Sequence, residues 1–205
     1  MKFYYTPGTV SLAVHIALEM SGADYQAMAI DFSSQEQRSD EFLALNPLGR
    51  VPALVTEQGV LTEAPAILNY IAAQYPQAKL APLNDNFLRA KIDSFNSFMC
   101  STVHVAHAHL WRGERWADSA SAREAMAEKV PQNMTDCFNL IENSWLQGPW
   151  VQGEQFSSSD LYLFVVSRWL SGDSVELKQF EKVYTHHQKM LQLTEVQVLL
   201  KGLHA

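Results

Sequence analysis

The hydrophobic period changes once along this chain, and that change limits the fold more than any other feature. Up to Pro76, short apolar runs with strand character take turns with helical periods; after residue 86 only the helical period remains. Residues 2–5, KFYY, read as a strand that ends at the turn Thr6-Pro7-Gly8. Residues 11–21 place Leu12, Ile16 and Met20 on one helical face, with Ser11 at the start and Gly22 as the stop. Residues 25–31 read as a second strand, SDEFLALNPLG as a short helix broken at Asn46-Pro47 and Gly49, and PALVTEQGVLT as a hairpin about Glu57-Gln58-Gly59. APAILNYIAAQYP reads as a helix with Pro65 in its first turn, where proline is tolerated, and Pro76 as its stop. A β-α-β opening followed by a hairpin and a helix suggests a small mixed sheet with helices on its faces.

The polar, Pro-containing stretch QAKLAPLNDN separates this half from the next. Beyond it, residues 87–111, 122–146, 159–170 and 180–191 all read as helices. The expected organisation is an α/β domain over residues 1–78 and an all-α domain over 87–205. A length of 205 residues with 47% hydrophobic side chains is enough for two such cores. The net charge of −7 and the lack of a Lys/Arg block argue against nucleic acid as the main partner. No apolar run approaches the roughly 18 residues of a membrane span, and no signal peptide is read at the N-terminus, so a cytoplasmic protein is expected. Cys100 and Cys137 lack metal or CxxC spacing and read as buried free thiols in a reducing compartment.

Ser157-x-x-Asp160 forms a capping-box variant before an apolar run, with Phe156 and Leu161 placed for a hydrophobic staple. This is a folding device. His104 and His107 are three apart and can share a helical face, while His109 points elsewhere. No third ligand stands at suitable spacing, so no metal site is expected. His186-His187 reads as a solvated pair.

Four segments together resemble the glutathione transferase family, in the family's order and over nearly the whole chain: YYTPGTVSL, NPLGRVPAL, LTEAPAILNYI and FSSSDLYLF. The resemblance is greatest to the bacterial beta class, through YYTPG, the following Ser11-Leu12 and His104. It implies a thioredoxin-like first domain, a helical second domain, a cytoplasmic homodimer, and detoxifying conjugation with glutathione as co-substrate. It implies a cis Val51-Pro52 bond, with Arg50, Val51 and Pro52 against the tripeptide. Glu63 and Ala64 would meet its γ-glutamyl end, and His104 would lie in the cleft as a further glutathione-binding residue. Tyr5, His104, His107, Trp111 and Trp169 would line the electrophile pocket, with His107 and Trp111 its principal members.

Two positions depart from the family pattern. Val10 stands where the beta class carries cysteine, so mixed-disulfide chemistry is not expected. Ala64 replaces the usual serine and removes one hydroxyl contact, worth roughly 0.5–1.5 kcal/mol. Thiolate chemistry survives the loss of cysteine on energetic grounds. Lowering a thiol pKa from about 8.5 to about 6.5 needs roughly 2.7 kcal/mol. One hydrogen bond to the charged sulfur supplies about 1.5–3 kcal/mol, and a helix N-terminus about 0.3–1 kcal/mol. Ser11, Thr9 and Tyr5, in that order, are the hydroxyl candidates; as structural residues they would be two helix N-caps and a packed strand aromatic. The rival reading is a ligand-binding or regulatory protein on the same fold that has lost efficient catalysis.

Overall fold

The structure, a computed structural model, describes residues 1–202. Its first compact unit comprises Met1–Arg89 together with the described residues from Leu191 to Gly202. Strands β1 (Lys2–Tyr5), β2 (Gln26–Ala29), β3 (Ala53–Thr56) and β4 (Gly59–Thr62) form one mixed sheet in the order β2-β1-β3-β4. β1 runs parallel to β2 and antiparallel to β3, with Phe3 opposite both Ala27 and Leu54. The connection that makes β1 and β2 parallel is helix α1 (Ser11–Ser21), since parallel neighbours need a crossover. Every residue of α1 from Ser11 to Leu18 is buried, so it is a core helix rather than a surface one. Gly22 ends it at φ 64°, in the left-handed region that glycine enters without steric cost.

Helix α2 (Asp40–Leu45) is capped by the Ser39 hydroxyl, which accepts from the Phe42 N–H. Helix α3 (Ala64–Gln74) carries Pro65 in its first turn and packs on α1. The strands, the hairpin and these three helices fall where the sequence places them. A further helix, α9 (Thr194–Gly202), was not anticipated; it packs on α1 and belongs to this first unit.

The second unit, Ala90–Met190, is helical. It holds most of α4 (Asn86–Phe98), then α5 (His104–Trp111), α6 (Ala120–Leu140), α7 (Ser158–Ser167) and α8 (Glu181–Met190). Helix α7 is buried over its whole length and forms the centre of this core, with Phe95, Met134, Phe138 and Phe180 fully buried in the same unit. Two π-helical turns, Met99–Val103 and Ile141–Trp145, interrupt the long helical stretches read from sequence. No helix among the described residues is long and apolar enough to cross a membrane.

The capping box is present in full: Asp160 accepts from the Ser157 N–H at 2.8 Å, and the Ser157 hydroxyl accepts from the first turn of α7. One reading is overturned. His186 and His187 are not solvated but buried, at 2% and 8% exposure. Helix α8 turns them inward, where Asp160 and Ser167 bind them at 3.0 and 2.7 Å. Cys100 and Cys137 form no disulfide, as expected, but both are half-buried rather than buried.

Candidate active site

The turn between β1 and α1 is a knot of hydrogen bonds centred on Thr6. The Thr6 carbonyl accepts from Thr9 Oγ1 at 2.8 Å and from Ser11 Oγ at 3.0 Å. The Thr6 N–H donates to Ser11 Oγ at 3.2 Å, and the two hydroxyl oxygens lie 2.6 Å apart. The Thr6 hydroxyl donates to the Ile30 carbonyl, tying the turn to the end of β2. Neither Thr9 nor Ser11 caps α1 in the usual sense, because the cap position itself is Val10, whose side chain has no acceptor. Val10 is buried, at 6% exposure.

This geometry separates the three hydroxyl candidates. Ser11 is fully buried, and its hydroxyl makes its contacts within the turn, to the Thr6 carbonyl and to Thr9 Oγ1. Thr9 is half-buried, and its hydroxyl can turn outward without leaving a buried acceptor bare. Ser11 then still donates to Thr6 or to Thr9, since each hydroxyl has one proton and two lone pairs. Tyr5 lies outside this network. Its ring stacks on Phe3 at 5.7 Å and meets His15 at 4.9 Å, the packed aromatic of the structural reading.

The Val51–Pro52 peptide is cis, as the resemblance implied. Its position is held by the preceding turn. Asn46, buried, donates to the Arg50 carbonyl at 2.7 Å and accepts from the Leu48 N–H. Gly49 has φ 60°, and a Cβ there would meet Arg38 and the Gln37 carbonyl at 2.8 Å. Val51 packs with Ile30 and Phe42. Strand pairing begins only at Ala53, opposite Tyr4, so the Val51 main chain stands outside the ladder. Arg50 is exposed.

At the start of α3, Glu63 occupies φ 68°, ψ 118°, a conformation rare for a residue with a side chain. Its side chain is exposed and Ala64 behind it is buried. Holding a non-glycine residue there costs of order 1–3 kcal/mol, a cost that clusters at ligand-binding turns. The first N–H groups of α3 lack helical partners.

The helical unit gathers a second set of groups. His104 and His107 do share a face of α5, and both meet Trp169, at 4.9 and 4.5 Å between ring centres. His107 stacks nearly flat on that indole, with 22° between planes. Its Nδ1 lies 2.8 and 2.9 Å from the two carboxylate oxygens of Asp173, a fully buried side chain. A carboxylate can only accept, so the proton sits on Nδ1 and the other ring nitrogen is left for a ligand. His109 points elsewhere, edge-on to Trp116. Trp111 is 58% exposed. Among the described residues, no group of three or more His, Cys, Asp or Glu could hold a metal ion. Thr6 and Asp173 were missed by sequence reasoning: Thr6 acts through its main chain, and Asp173 lies 66 residues from its partner.

A strand-turn-helix hydroxyl site beside a cis-proline turn, with a helical unit after it, defines the class. Residues 1–73 match the glutathione S-transferase N-terminal domain. The chain is 32% identical over 205 residues to glutathione S-transferase GstA of Escherichia coli O157:H7, covering 98% of each protein. A glutathione transferase homologue from Sulfitobacter, solved with bound glutathione, superposes with a TM-score of 0.95 at 44% identity, covering 98% and 97% of the two chains. The beta-class glutathione S-transferase of Sphingomonas chungbukensis gives a TM-score of 0.86 at 32% identity, covering 99% and 98%. The chain belongs to the glutathione S-transferase family of enzymes.

Proposed function

We propose that this enzyme binds glutathione on its first unit and activates the thiol through Thr9, with Ser11 and the Thr6 N–H aligned behind it. The half-buried Thr9 hydroxyl, 2.6 Å from the buried Ser11 hydroxyl, carries the reading. When Thr9 donates to the sulfur, Ser11 donates to Thr9 and the Thr6 N–H donates to Ser11. Each donor then polarises the next, which strengthens the outermost hydrogen bond. The N-terminus of α1 adds its positive end to the same locus. The Val51 main chain, free of the ladder, pairs with the extended tripeptide, and Arg50 and Pro52 flank it. Glu63 takes the ammonium of the γ-glutamyl end, while the N–H groups at Ala64 and beyond take its carboxylate.

The thiolate then forms a carbon–sulfur bond to an electrophile, which loses its leaving group with the bonding electron pair. His104, His107 and Trp111 are the helical-unit residues proposed to recognise that electrophile. The working form is proposed to be a cytoplasmic homodimer, checked by sedimentation. Glutathione titration by calorimetry, with conjugation to an aromatic halide, tests the whole reading. Tight glutathione binding with no conjugation of any electrophile in a panel would favour the ligand carrier instead.

A further inference from the structure

At the C-terminal end of α7 the helical unit holds an open cavity of about 620 Å³, within the range of small-molecule sites. Arg168, Ser171, Ser174, Glu176 and His187 supply its polar lining, and Leu177 an apolar wall. None of these residues belongs to the glutathione site or to the His104–His107–Trp169 cluster.

Arg168 is the group that needs explaining. It is half-buried, and burial pulls its pKa below the ordinary value. Among the described residues no carboxylate pairs with it and no acceptor takes its guanidinium N–H groups; the guanidinium rests 5.6 Å from the Phe164 ring centre. A guanidinium offers five donors in a planar fork, and a ring face satisfies none of them. A partly desolvated charge without a counter-charge is costly, and an anion in this cavity would supply that counter-charge.

We propose that this cavity binds a small organic monocarboxylate, anchored by Arg168. The planar fork matches a carboxylate with two parallel hydrogen bonds. The Ser171 and Ser174 hydroxyls, both exposed, stand ready to donate to the same anion. Leu177 and Val175 offer apolar surface to a short tail. Charge selects the class. His187 has its pKa pushed down to about 4, by burial first and then by Arg168 and His186. It is therefore neutral at pH 7, and Arg168 is the one cation among the lining residues. Glu176 contributes a negative charge to the same lining. With Glu176 opposing further negative charge beside Arg168, a singly charged anion is favoured over the more highly charged phosphate. The site is independent of the glutathione reading.

The experiment is titration of the full-length protein with sodium hexanoate, followed by amide and arginine side-chain NMR shifts. Saturable shifts at Arg168 and over residues 171–177 are expected. Arg168→Gln should weaken hexanoate by about tenfold or more, the loss of a charge-assisted pair, while its glutathione affinity stays at the wild-type value. Glu176→Gln should tighten hexanoate by about threefold, through loss of one repulsive charge. Inorganic phosphate should give no saturable shift there. Absence of hexanoate saturation, equal affinity in Arg168→Gln, or tighter phosphate binding would overturn the assignment. If Arg168→Gln does not fold, the Glu176→Gln arm decides it: unchanged or weaker hexanoate binding rejects the site.

Discussion

At the residue scale, the proposed thiol activation rests on three oxygen atoms within one turn. Thr9 Oγ1, Ser11 Oγ and the Thr6 carbonyl oxygen lie 2.6–3.0 Å from one another, and their proton count decides which one meets a ligand. Thr9→Val keeps the shape and removes the donor. It should raise the pKa of bound glutathione and slow conjugation by roughly ten- to a hundredfold, the worth of one hydrogen bond to a charged atom. Ser11→Ala removes the relay but not the donor, so its effect on that pKa should be smaller and of the same sign. Ultraviolet titration of the bound thiolate reads both. A larger effect in Ser11→Ala than in Thr9→Val would restore Ser11 as the direct donor. The pair His107–Asp173 makes a second, independent case. Nitrogen NMR of the neutral His107 ring should find its proton on Nδ1, and Asp173→Asn should release that preference. A ring protonated on the other nitrogen in the wild-type protein would mean that Asp173 does not set the tautomer. Leu in place of His107 would strand a buried carboxylate, at roughly 3–5 kcal/mol of stability.

At the scale of elements, Asp160 shows why a short motif can matter over a long range. Sequence spacing identified it as a cap for α7, and it is one. Its Oδ1 also accepts from the Val151 N–H at 2.8 Å and lies 3.0 Å from His186 Nε2 on α8, so it joins the preceding loop, α7 and α8. Ser157→Ala should cost about 1 kcal/mol, an ordinary N-cap. Asp160→Ala strands the Val151 N–H, the Ser157 N–H and His186 together. At about 1–3 kcal/mol for each buried donor, it should cost more than 3 kcal/mol. Urea denaturation measures both; comparable losses in the two variants would reduce Asp160 to a cap. The same contrast explains what could be read in the sequence. Strands, helices, the glycine stop at Gly22 and the Asn46–Pro52 turn are local, because periodicity and backbone preference act within a few residues. The burial of Ser11, the clamp on His107 and the inward turn of His186 and His187 depend on residues that only the fold brings near. Helix α9 escaped for a related reason: its single buried residue is Val196, too faint a stripe to separate from a polar tail.

For the whole molecule, the buried histidines couple stability to pH. His187 titrates at about 4 in the folded protein, against an ordinary value of 6.5, because burial, Arg168 and His186 all oppose its charge. The folded pKa is the lower one, so the unfolded chain takes up a proton between these values and the folded protein does not. Stability is then insensitive to this group above pH 6.5, falls as pH drops toward 4, and levels off below that. The full window is worth roughly 3 kcal/mol, at about 1.4 kcal/mol for each pH step. His15 moves the same way, lowered by burial against the opposing pull of Glu19. Carboxylates also titrate at the acid end, so the informative quantity is the wild-type unfolding free energy minus that of His187→Gln. Between pH 7 and pH 5 that difference should shift by roughly 2 kcal/mol against the wild-type protein. Urea titrations at four or five pH values would measure it. Parallel curves for the two proteins would mean that His187 accepts its proton in the folded state as readily as in the unfolded chain, and that the core around α7 admits water to it.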